Sequence, residues 1–120
     1  MGSELSNEFG KVKIAEEVIA TIAGAAAVEC YGLVGMASRS ITDGVAELLG
    51  REAYGKGVEI VFNESQLRVD LYIIVNYGNK ISEIAKNVMD RVKYAIETTT
   101  GLNVEEVNVY VQGVRVSSAI

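Results

Sequence analysis

No histidine occurs anywhere in the chain, so the commonest general base and the commonest metal ligand are missing together. Proline is absent too, and there is one cysteine, Cys30. A lone cysteine makes no internal disulfide, and no charged-then-apolar leader opens the chain, so the expected compartment is the cytoplasm. Cys30 also lacks the imidazole of a Cys–His nucleophile pair and the companions that zinc requires. It falls near the C-terminal end of a helical pattern, where the helix dipole disfavours a thiolate, and reads as a small buried hydrophobe. The carboxylate pairs Glu16-Glu17 and Glu105-Glu106 are adjacent in sequence, so on a helix or strand they point apart and do not share a proton or a cation. No P-loop spacing is present, and the glycines lack the strand-to-helix setting of a dinucleotide fingerprint. These absences point to a protein that is not an enzyme, with no catalytic residues, no cofactor and no metal.

Grouped positive charge is also missing. The eleven lysines and arginines are scattered from Lys11 to Arg115 in a chain of formal charge −5, which argues against a surface that tracks nucleic-acid phosphates. Nor is there a long apolar run: IAGAAAV (Ile22–Val28) and LYIIV (Leu71–Val75) fall far short of the ~20 residues that cross a bilayer. Direct membrane insertion is excluded on this reading, and any link to a membrane runs through a protein partner.

What is present suits one folded core: 120 residues, 49% hydrophobic and 22% charged. Residues 1–9 are polar and expected to form a flexible N-terminal segment, with a single α+β domain over 10–120. GKVKI (Gly10–Ile14) reads as a short edge strand. Over 15–30 the apolar residues Ala15, Val18, Ile19, Ile22 and Ala26 follow helical spacing, and Gly24-Ala25-Ala26-Ala27 gives that helix a thin waist suited to close packing. A short helix is expected over Ser40–Leu49. Period-two runs over Val58–Phe62 and Leu67–Val75, joined through the polar Asn63-Glu64-Ser65, predict a β-hairpin. Asn79 is a candidate cap for a long helix over 80–100, whose stripe of Ile81, Ile84, Ala85, Val88, Met89, Val92 and Ile96 ends at Gly101. A last strand, Val104–Gln112, follows, with Gly113 placed to bulge it. Strand, helix, strand over 67–112 implies a right-handed crossover between parallel strands. The expected fold class is therefore α+β: a small mixed β-sheet with a hairpin and a right-handed β-α-β crossover, packed with two to three helices.

Two places invite a functional reading. The stretch CYGLVGMASRS (Cys30–Ser40) reads as a connector between two helices. Its Gly32-Leu33-Val34-Gly35 has the spacing of a KH-type phosphate clamp, but two apolar middle residues would desolvate a phosphate without compensating it. RNA binding through Gly32, Gly35 and Arg39 is the alternative reading. The sheet face opposite the long helix is the second place: Val61, Tyr72, Ile74 and Tyr110 interrupted by Arg68, Asp70, Asn76, Asn108 and Gln112. It is too apolar to be left wholly in water. Contact patches are enriched in aromatic residues and methionine, which marks Tyr31, Leu33, Val34, Met36, Tyr72, Ile74 and Tyr110 as a candidate interaction surface.

Three stretches carry a family resemblance: GKVKIAEEVIATIAG, then GLVGM followed by TDGVAELLG, and ETTTGLNVEEVNVYVQGV. Together they span about residues 10–116 and resemble the alkaline shock protein family of Gram-positive cell-envelope stress proteins. Tyr110 stands where many members have a histidine. The resemblance implies a non-enzymatic cytoplasmic protein of cell-envelope homeostasis. It also implies self-association and a protein partner, either a membrane-anchoring protein or a fatty-acid synthesis enzyme. The expected function is an interaction scaffold.

Overall fold

The computed structural model describes residues 3–37, 55–63 and 66–116. In chain order the elements are β1 (Ser3–Asn7), β2 (Gly10–Ile14), α1 (Glu16–Val28), β3 (Leu33–Met36), β4 (Val58–Asn63), β5 (Gln66–Asn76), α2 (Ile81–Thr100) and β6 (Val104–Arg115). The class is α+β, as the sequence predicts.

Strand β5 organises the main sheet. Its first half pairs antiparallel with β4, from Asn63↔Gln66 to Val58↔Leu71, and its second half pairs antiparallel with β3 along the same edge. On its other edge it pairs in parallel with β6, from Leu67↔Val104 to Asn76↔Arg115. A central strand is shielded on both edges, and the inward side chains of β5, Leu67, Val69, Leu71, Ile73 and Val75, are all fully buried. The hairpin and the parallel crossover thus stand where the period-two runs put them. The β6 ladder shifts register between Ile73↔Val111 and Ile74↔Gly113, which leaves Gln112 as the extra residue beside the glycine expected to bulge.

Both helices cover one face of this sheet. Helix α2 buries Ile84, Val88, Val92 and Ile96, one stripe at i, i+4, i+8 and i+12. It ends at Gly101, which takes φ +81° and donates its N–H to the Glu97 carbonyl at 3.0 Å. The Glu97 carboxylate then accepts the first amide of β6, from Val104, at 2.9 Å, fixing the turn between them. Helix α1 buries Ile19, Ala20, Ala23, Gly24, Ala26 and Ala27. Its small side chains let it lie close to α2 and to the edge strands β3 and β4.

Four expectations change. Ser3–Asn7, read as flexible, pair antiparallel with Gly10–Ile14 in a separate two-stranded sheet. The pairing puts Leu5, Val12 and Ile14 on one face and Glu4, Ser6, Lys11 and Lys13 on the other, a pattern that polar composition conceals when β1 is read alone. Leu33–Met36, read as part of a connector, form β3, because their amides and carbonyls find partners on the open edge of β5. Asn79 does not cap α2: the cap position is Lys80, with no side-chain cap bond. Two candidate contact residues, Met36 and Ile74, are core residues, 1% and 2% exposed. The helix expected over Ser40–Leu49, and Arg39, lie outside the described residues.

Candidate functional site

The glycine-spaced stretch after α1 is held as backbone, not as a clamp. Gly32 turns the chain with φ +89°, its carbonyl accepts the Asn76 amide at 2.8 Å, and Leu33 sits opposite Val75. A Cβ on Gly32 would lie 2.7 Å from Ile84 Cδ1, so only glycine brings the chain this close to the start of α2. From there Leu33 is half-buried against the core, Gly35 and Met36 are buried, and Val34 is 39% exposed. A phosphate cradle needs exposed backbone with free N–H groups, whereas these residues lie in a strand paired to β5. Among the described residues of this stretch, Tyr31 is the most open to solvent, at 81%.

The sheet face away from α2 carries a polar cluster beside an aromatic pair. Asp70 is buried at 3% exposure, between Arg68, whose Nη2 donates to Oδ2 at 3.2 Å, and Asn108, whose Nδ2 donates to Oδ1 at 2.9 Å. The hydrogen bond to Asp70 raises the Arg68 pKa above its ordinary value and holds the guanidinium charged. One register step along, Tyr72 stacks on Tyr110 across the parallel ladder, ring centroids 5.0 Å apart and 15° from coplanar. Tyr110 keeps 43% of its surface in water and Tyr72 is half-buried. Both oxygens of Asp70 are engaged, so the buried carboxylate is satisfied within the sheet face.

A second surface was not read from the sequence. Where α1 ends against α2 there is an open hollow of about 410 Å³, lined by Glu29, Cys30 and Tyr31 from one side and Asn87, Asp90, Arg91 and Tyr94 from the other. Arg91 Nη2 meets Glu29 Oε1 at 2.6 Å at the rim. Cys30 is buried with its Sγ 3.8 Å from the Ala26 carbonyl oxygen. Burial raises its pKa, outweighing the lowering influence of Arg91, which disfavours the thiolate. Tyr94 carried the missed signal: a large aromatic side chain on the polar side of the α2 pattern, 69% exposed. Among the described residues no three carboxylates or thiols converge as metal ligands, and no helix is long and apolar enough to cross a membrane.

The structure therefore brings Tyr72 and Tyr110 together, leaves Tyr31 and Val34 exposed elsewhere, and removes Met36 and Ile74 from the surface. Comparison with known proteins adds the relationship. The chain is 51% identical over 119 residues to YloU of Bacillus subtilis, covering 98% of this chain and 99% of that one. It is 42% identical over 117 residues to Spy1614 of Streptococcus pyogenes, covering 97% of each. A stress response regulator gls24 homolog of Streptococcus pyogenes is 27% identical over 106 residues, 88% of this chain and 59% of that longer protein. A family model described as of cell envelope-related function matches residues 4–116. The chain thus belongs to the alkaline shock protein 23 (ASP23) family, a family of cell envelope-related function.

Proposed function

We propose that this protein is a non-enzymatic scaffold of cell-envelope homeostasis or stress response, acting by self-association and by holding a protein partner. One observation carries the reading: among the described residues the core contains no aromatic side chain. The buried cluster consists of Ile, Leu, Val, Ala, Met and Cys30 side chains. Every described aromatic lies at the surface, with Phe9, Tyr31, Phe62, Tyr77, Tyr94 and Tyr110 exposed and Tyr72 half-buried. Rings contribute more apolar burial than any other side chain, so a fold that leaves them outside keeps its best contact groups for another molecule. The partners implied by family resemblance are a membrane-anchoring protein or a fatty-acid synthesis enzyme, which would place the protein in the cytoplasm, at the membrane through that partner.

The test is affinity capture of the tagged protein from its native host, with and without nuclease, followed by mass spectrometry. Untagged copies or a membrane protein recovered equally under both conditions is the expected result. Recovery only of partners that vanish with nuclease would sink the scaffold reading. Tyr110→Ser should weaken capture about tenfold or more while leaving the circular dichroism spectrum unchanged, since the ring is a contact group standing on an intact strand.

A further inference from the structure

We propose that copies of this chain join head to tail, the tip of the β1–β2 hairpin of one seated in the hollow between α1 and α2 of the next. This deepens the scaffold reading and rests on it.

The hairpin is an arm whose apolar face is only half used. At its base Leu5 and Ile14 pack against the core. Val12, paired opposite Leu5, is 55% exposed, and further out Phe9 at the turn is 90% exposed. An isolated two-stranded ribbon is marginally stable in water, and a ring at its tip adds apolar surface with nothing to cover it. The base of the arm lies at the C-terminal end of α2, where Leu5 approaches Gly101. The hollow begins at the other end of α1, next to the turn where Gly32 meets Ile84 in the first turn of α2. Since Phe9 is 90% exposed, it does not fill the hollow of its own chain.

The hollow has the chemistry this tip needs. Tyr31 and Tyr94 stand at 81% and 69% exposure with the Arg91 guanidinium beside them, a seat for a third ring by aromatic and cation–π contact. Lys11, two residues past Phe9 on the arm's polar face, and Asp90, in the hollow, form no ion pair among the described residues. Seating Phe9 brings them into range of each other, and this match of ring to rings and cation to anion within one sequence points to a second copy as the occupant. Arm and hollow are different patches, so a joined pair keeps one of each free, and assembly continues into a ring or an open filament. A contact of this size is small, so it is weak singly and gains strength by repetition.

Sedimentation velocity over a concentration series tests this with the full chain and the variants Phe9→Ser and Tyr94→Ser, both at exposed positions where folding tolerates the change. The wild type should form species beyond a dimer. Each variant alone should associate at least about 30-fold more weakly, as when a central aromatic anchor is removed. Their equimolar mixture should form dimers and nothing larger, because one supplies the intact arm and the other the intact hollow. Variants that assemble like the wild type would overturn the arm-and-hollow contact while leaving the scaffold reading in place. Loss in both variants without rescue on mixing would overturn the head-to-tail arrangement in favour of a symmetric contact. A wild type that stays monomeric throughout would overturn self-association itself, and with it both proposals.

Discussion

Gly32 shows how one residue ties the two helices to the sheet. It takes φ +89°, and a methyl group there would sit 2.7 Å and 2.9 Å from two carbons of Ile84. Gly32→Ala therefore combines a strained backbone with a clash in the first turn of α2, and it should lower unfolding free energy by about 1–3 kcal/mol. Urea denaturation measures this, and an unchanged midpoint would show that Ile84 moves aside freely. Glycine spacing was visible in the sequence and left a phosphate clamp as the alternative to a connector, because spacing alone does not reveal that a side chain fills the space beside the backbone. Ile74 and Met36 show the same limit. Alternation placed Ile74 on the correct face of β5, yet its 2% exposure depends on what else covers that face.

Among the elements, α2 was the most legible, since its stripe repeats over about four turns and its terminal glycine is unambiguous. Val92 lies in that stripe at 0% exposure and Lys93 beside it faces water. Val92→Ala should cost about 2–3 kcal/mol through lost burial and the cavity left behind, and Lys93→Ala should stay within about 0.5 kcal/mol. Equal midpoints for the two variants in denaturant titrations would mean that the α2 face is assigned wrongly. Strand β3 was illegible for the opposite reason. Four residues with a glycine among them carry no period, and Leu33–Met36 are extended because β5 offers an open edge, a partner some forty residues downstream. Strand β1 is similar: Ser3, Ser6 and Asn7 have little strand propensity, and pairing with β2 decides their conformation.

Over the whole molecule the two sheets differ in what protects them. β5 is flanked on both edges and buried on its inner face, whereas the β1–β2 ribbon has no third strand among the described residues. Amide hydrogen exchange should accordingly be slowest in β5, at or near the global unfolding limit, and fastest among the paired strands in β1 and β2. This holds for the dilute monomer. Protection of the β1–β2 amides that rises with protein concentration would be the signature of the arm seated in another copy. Uniform protection across both sheets at every concentration would refute this ranking.

Local pattern determined much of this protein: an α+β class, the β4–β5 hairpin, the parallel crossover through α2, the thin waist of α1, and the lack of histidine. These are properties of a period, a propensity or a composition, which a few neighbouring residues suffice to express. Tertiary structure alone decided which face is covered, which short polar segments become strands, and that Tyr31 and Tyr94, sixty-three positions apart, flank one hollow across from an unfilled aromatic arm. Those are contacts between distant segments, and their free energy arises only when the chain has closed the loops between them.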